Sequence, residues 1–238
     1  MFMILFIFYF GCLVGSFLGV LAIRIPKKET FILSRSKCDY CQKDLSFFAL
    51  IPFWQLIFHR NCCTYCKEKI SNYYWIVECL SGFLFLIGFF NPWTLEYRLC
   101  FYLSLLLFML SLTDYFYGIV EPLLLYPIVL MLIVLQANSY TRLFPHFLDM
   151  LLIFCLFSLY NYLFPQQIGG GDIQLLTFLV FFTGLYSLLW IILLASLCGI
   201  LYTLLKMLFI HNRTHKLPFV PFISLAFLIV TYFYPHFA

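Results

Sequence analysis

Residues 2–23 read FMILFIFYFGCLVGSFLGVLAI, and the chain's first charges follow at once in Arg24-Ile25-Pro26-Lys27-Lys28. A helix advances about 1.5 Å per residue, so this uncharged run is long enough for a hydrocarbon layer about 30 Å thick. A cleaved secretory signal carries its positive charge before the apolar stretch and ends on small residues; here the charge comes after, so a retained first span is expected. The whole chain has the same character. Of 238 residues, 64% are hydrophobic and 10% charged, and the mean hydropathy is +1.00. A soluble globule cannot bury so much apolar surface, which makes lipid the expected solvent. The 31 Phe and 17 Tyr suit side chains that pack in hydrocarbon and along the headgroup belts. The expected fold is all-α, a polytopic membrane bundle of about eight helices.

After a polar segment from Arg24 to about Tyr73, further spans are expected near 74–90, 99–114, 119–135, 146–164, 172–185, 187–209 and 218–236. They are separated at Asn91-Pro92, Tyr117-Gly118, Gln136 to Pro145, Pro165 to Gly171, around Gly184, and at His211 to Leu217. With the amino terminus outside, nine Lys/Arg fall in the first loop: Arg24, Lys27, Lys28, Arg35, Lys37, Lys43, Arg60, Lys67 and Lys69. Lys206, Arg213 and Lys216 lie around the last loop on the same side, and only Arg98 and Arg142 lie opposite. Twelve against two favours a cytoplasmic first loop, because basic residues accumulate on that side of a membrane protein. The domains expected are a first transmembrane helix at 1–23, a cytoplasmic cysteine domain at 24–73 and a membrane-embedded catalytic part at 74–238.

The first loop holds Cys38-Asp39-Tyr40-Cys41 and, after 21 intervening residues, Cys63-Thr64-Tyr65-Cys66. Two Cys-x2-Cys pairs are the arrangement that wraps four thiolates around one tetrahedral zinc; disulfides are the weaker alternative in a reducing cytoplasm. Cys62 is a spare beside Cys63, while Cys12, Cys79, Cys100, Cys155 and Cys198 sit in apolar spans as packing residues. A zinc with four sulfur ligands has no open position, so it holds a domain together and the chemistry must lie elsewhere.

Outside that loop the acids are Glu78, Glu96, Asp114, Glu121, Asp149 and Asp172. Ionisable groups at membrane depth are expensive and point to function by default. In the expected topology Asp114 ends the third span and Asp172 starts the sixth, both at the cytoplasmic boundary, with one helical hairpin between them. Asp172 follows Gly169-Gly170-Gly171, where glycines let backbone and substrate approach closely. Two carboxyls within reach would share a proton, one taking a proton from water while the other polarises a scissile carbonyl. Each Asp alone is equally consistent with an interfacial helix cap.

Several motifs follow one another along the chain: Gly15-Ser16-Phe17-Leu18-Gly19 through Arg24-Ile25-Pro26, the two Cys pairs with Leu50-Ile51-Pro52 between them, Ile70-Ser71, and Glu78. Asp114, Gly169-Gly170-Gly171-Asp172 and Leu217-Pro218-Phe219-Val220-Pro221-Phe222 complete the set. In this order they resemble the type IV prepilin peptidases. The resemblance implies that Asp114 and Asp172 are the catalytic pair, that the cysteine domain is cytoplasmic, and that the substrate is the short basic leader of a prepilin or pseudopilin. Many members also methylate the new amino terminus with S-adenosylmethionine. The chain departs from the family pattern at Gly19 (usually Asn), Tyr73 and Trp75 (an Arg and a Pro), Gln174 (a Lys), and Glu121-Pro122 (Pro-Asp or Pro-Asn). These departures leave the aspartates intact and bear mainly on methyl transfer. The shorter form looks most like members that serve DNA-uptake pseudopili of Gram-positive bacteria.

Glu78 matches a family position, with a buried interhelical hydrogen bond as the alternative. Glu121 is a third acid near the site or an interfacial charge. The Gly11, Gly15 and Gly19 series lies on one helix face and suits close helix packing. His59, His211 and His215 flank basic loop residues and are not needed as metal ligands. No P-loop or dinucleotide fold is present, and no direct nucleic-acid partner is expected. The rival function is a proton-coupled transporter with a regulatory zinc domain, which would want acids near the midplane and two similar halves. A third is a scaffold docking a partner through the zinc knuckle.

Overall fold

The computed structural model describes residues 2–29, 38, 40–44, 52, 62–63, 65–69, 71–92, 94–136, 143–165, 168–210 and 217–233. Leu50, Ile51, His59, Ile70, His211 and His215 lie outside the described residues, as do Arg35, Lys37, Arg60, Arg142, Arg213 and Lys216 of the charge count. Regular structure among the described residues is helical, apart from isolated bridge positions at Asp44 and between Cys62 and Lys69. The chain divides into two compact units, Met1–Pro92 and Trp93–Ala238.

The first unit is a helix pair with the cysteine knuckles between its members. Helix α1 (Phe2–Arg24) packs along α2 (Tyr73–Phe90). Its buried face is Gly11, Cys12, Gly15, Gly19 and Ala22, whereas Phe2, Phe6, Phe10 and Phe17 point outward. Small residues inside and aromatics outside suit lipid as solvent, where close backbone approach rather than apolar burial holds helices together. A Cβ on Gly11 would stand 2.9 Å from the Gly82 Cα, and one on Gly82 would meet the Phe8 ring at 2.7 Å. Through the gap the Ser81 hydroxyl donates to the Gly11 carbonyl at 2.8 Å. Phe8 and Phe10 then meet Phe83 and Phe85 edge to face.

The second unit is built around α3 (Leu95–Tyr117), whose Leu103, Leu106, Leu107, Met109 and Leu110 are buried. It is followed by α4 (Pro122–Gln136), α5 (Leu143–Leu163), α6 (Gly170–Ile210) and α7 (Val220–Leu228), which runs on into a π turn at Ile229–Phe233. Helices α3 and α6 both pack on α7, and α5 lies along α6. Gly118 ends α3 in the left-handed region (φ 63°), donating its N–H to the Asp114 carbonyl at 2.8 Å. That conformation costs a residue with a Cβ about 1–2 kcal/mol.

Five helices are long and apolar enough to cross a membrane, and Pro122–Leu135 and Val220–Phe233 are shorter apolar helices. The chain is therefore a multi-pass membrane protein. The expected separation of a sixth and a seventh span takes the form of one element, α6, broken at Gly184 (φ 79°, ψ 164°). The ring of His146 from α5 lies where a Cβ on Gly184 would be, 2.8 Å away.

Candidate functional site

Asp114 lies on the last turn of α3 and is buried. Its Oδ2 accepts the backbone N–H of Val220, the first residue of α7, at 2.9 Å. The Phe219 N–H lies near the same carboxyl. This contact explains the Leu217–Phe222 stretch physically. Pro218 and Pro221 have no N–H and fixed φ, so Phe219 and Val220 carry the amides that remain at this helix start. Sequence reasoning missed the contact; the signal was available in two prolines bracketing two amides, but nothing in the sequence said which acid they would meet.

Asp172 lies on the first turn of α6, half-buried, and its N–H donates to the Gly169 carbonyl at 3.0 Å. The charge of Asp114 reaches the Asp172 carboxyl. The three glycines before Asp172 differ in their surroundings. A Cβ on Gly169 would face the Asp172 carboxylate at 3.2 Å, one on Gly171 would meet the Val120 Cβ at 2.7 Å, and one on Gly170 would meet nothing within 4 Å. Gly171 thus seats the Gly118–Glu121 connection against the start of α6, which brings the end of α3 to Asp172. Glu121 itself is half-exposed, and its carbonyl accepts the Leu124 and Leu125 N–H groups at 3.1 Å as α4 begins. Across α4 and α6, Tyr126 donates its hydroxyl to Gln174 Oε1 at 3.2 Å, a link the sequence did not announce.

In the first unit, Cys38, Cys41, Cys63 and Cys66 place their sulfurs within 4.8 Å of one another. Zinc–sulfur bonds of about 2.3 Å set tetrahedral sulfur–sulfur edges of roughly 3.8 Å. The Cys38–Cys66 and Cys41–Cys63 separations are 3.7 and 4.0 Å, which fit a metal and are far too long for a disulfide. Both knuckles repeat one backbone pattern. Gln42 and Lys67 donate their N–H to the carbonyls of Cys38 and Cys63 at 2.9 and 3.0 Å, and the Cys38 and Cys63 N–H groups reach Lys43 and Glu68 at 3.0 and 2.9 Å. Gln42 and Lys67 both have positive φ, 57° and 59°. Backbone N–H groups of Cys66 and Tyr65 hold the Cys63 thiol down to about 7, toward the thiolate that a metal requires. Cys62, the spare, forms the isolated bridge with Lys69 instead.

Glu78 is buried on α2 beside Cys12 and Cys79 in the first unit. Two departures from the family pattern meet there: a Cβ on Gly19 would stand 3.4 Å from Val77 Cγ1 and 3.9 Å from the Tyr73 hydroxyl. A larger residue at position 19 would compete with Tyr73 for that space.

Two family models match in succession. The Bacterial Peptidase A24 N-terminal domain matches residues 9–91, and the Type IV leader peptidase family matches residues 100–204. This chain belongs to the type IV leader peptidase family. Relatives extend the likeness over nearly its whole length. A Prepilin leader peptidase/N-methyltransferase of Bacillus subtilis is 28% identical over 96% of this chain and 93% of its own, and one of Vibrio cholerae serotype O1 is 27% identical over 92% of each. A third, from Myxococcus xanthus, is 38% identical, but over 34% of this chain and 24% of that protein. No solved structure matches. Family membership supports prepilin processing and leaves the transporter alternative without support.

Proposed function

We propose that this protein is a membrane aspartyl endopeptidase that removes the short leader from type IV prepilins or pseudopilins, with Asp114 and Asp172 as its catalytic pair. The observation that carries this reading is their approach from α3 and α6, at an end of the second unit that Gly171 and Val120 draw together. One carboxylate takes a proton from water, the protonated partner polarises the scissile carbonyl, and no metal is needed at that site. The twelve-to-two charge asymmetry supports a topology with this end, the cysteine loop and the 211–217 loop at the cytoplasmic face of a bacterial plasma membrane, where a leader with basic residues would be presented.

The four thiolates would hold zinc as a structural ion, tying Cys38 and Cys41 to Cys63 and Cys66 across a long loop. Methyl transfer to the new amino terminus is carried by the names of the relatives; among the described residues no cluster marks where S-adenosylmethionine would sit. Purified protein incubated with candidate prepilins, with products weighed, tests both activities, since a methylated product is one methyl heavier. Cleavage should be lost in Asp114→Asn and in Asp172→Asn, with the double variant little worse, because a pair that works as a unit is non-additive. Near wild-type cleavage in either single variant would sink the paired mechanism.

A further inference from the structure

Hydrolysis by two carboxyls requires that they play unlike parts, and α7 supplies the asymmetry. Val220 is fully buried and Asp114 nearly so, so the 2.9 Å bond from the Val220 N–H to Asp114 Oδ2 is made away from competing water. A buried amide must find an acceptor, and here the acceptor is a reacting group. As the first N–H of α7 this amide has no carbonyl of its own helix to bond, and Asp114 Oδ2 takes that place. The Gly118 cap fixes Asp114 from the other side through its own carbonyl. The carboxylate is therefore held at both its backbone and its Oδ2.

We propose that the amino terminus of α7 is a positioning element of the hydrolytic apparatus: the Val220 amide occupies Oδ2, leaving Asp114 Oδ1 to take the proton of the attacking water, while Asp172 carries the proton given to the scissile carbonyl. This assignment rests on the paired-aspartate reading above. Water passes a proton to Asp114 Oδ1 as its oxygen bonds to the carbonyl carbon, and the carbonyl oxygen takes the proton from Asp172. The gem-diol collapses as the C–N bond breaks. The departing nitrogen takes the proton from Asp114, and a diol hydroxyl returns one to Asp172, restoring both groups.

The test replaces Val220 by its α-hydroxy acid in the full-length purified protein, which swaps one N–H for an ester oxygen and keeps the side chain. We expect kcat on a prepilin to fall about tenfold or more, with KM essentially unchanged and the thermal midpoint lowered no further than by the ester at Ala226, because a misplaced reacting group costs rate rather than binding. The same ester at Ala226, further along α7, should lower the midpoint through a lost helix bond and spare kcat. Retention of kcat within about twofold at position 220 would overturn the proposal, because an amide acting only as scaffold has no transition-state term to lose. So would a loss of kcat matched by a midpoint below that of the Ala226 ester and a rising KM, which is the pattern of a merely structural bond. Asp114→Asn run alongside separates the two ideas: if it cleaves, the paired mechanism fails and this proposal with it; if it is inactive while the ester is active, only the positioning role fails.

Discussion

Gln42 and Lys67 sit at equivalent places in the two cysteine knuckles, each in the left-handed region that favours glycine. A Cβ there is strained, so Gln42→Gly and Lys67→Gly are each expected to stabilise the loop by about 1 kcal/mol. Slower zinc release to a chelator would report the gain; no change in either variant would argue against the knuckle geometry. Conversely, a Cys38→Ser, Cys41→Ser double variant should purify without zinc, read by metal analysis, and full occupancy would reject the assignment of ligands. The glycines before Asp172 make a second residue-scale contrast. Gly171→Ala must push Val120 away from the start of α6, whereas Gly170→Ala enters open space, so cleavage should suffer more in the first. The cluster of four cysteines was legible because spacing alone identifies such knuckles. The unlike surroundings of three adjacent glycines were not, since they depend on Val120 arriving from a different helix end.

Helix α6 carries the clearest element-scale consequence. Its 41 residues would extend about 60 Å if straight, roughly twice the hydrocarbon thickness, and the break at Gly184 divides it. The φ and ψ there are nearly restricted to glycine, so Gly184→Ala should cost about 1–3 kcal/mol even before the His146 ring is considered. Melting the variant in detergent with and without His146→Ala separates the two contributions: removing the ring relieves the clash and leaves the backbone strain. A full rescue would show that the strain was never in the backbone. The sequence pointed to an interruption near Gly184 because glycine punctuates an otherwise unbroken apolar run. It could not reveal that the interruption is a single residue without a connecting loop, because the partner that fits the notch comes from a preceding helix. The shortness of α7 was equally hidden: the apolar stretch continues past Leu228, and only the π turn marks the change.

For the molecule as a whole, the expected orientation has a direct test. Cysteines introduced at positions 40 and 214 should resist an impermeant thiol reagent applied to whole cells; labelling at either from outside would reverse the topology and the route of a cytoplasmic leader. The lipid-solvated character was legible from composition, and the helical one from long unbroken apolar runs such as 2–23, because a membrane strand would alternate apolar and polar residues. The pairing of Asp114 with Asp172 was legible only as a hypothesis, since a spacing of residues along a chain says nothing of how helix ends approach; the packing of Val120 on Gly171 was not legible at all. The boundary at Pro92 and Trp93 has a further consequence. It falls between the two matched family segments, and both aspartates lie on the carboxy-terminal side of it. A gene split there, with each half given its own start codon, should yield two fragments that insert and fold separately, the second carrying both aspartates. Evolution could then exchange or discard the cysteine-bearing half by fission and fusion without dismantling the one that holds them.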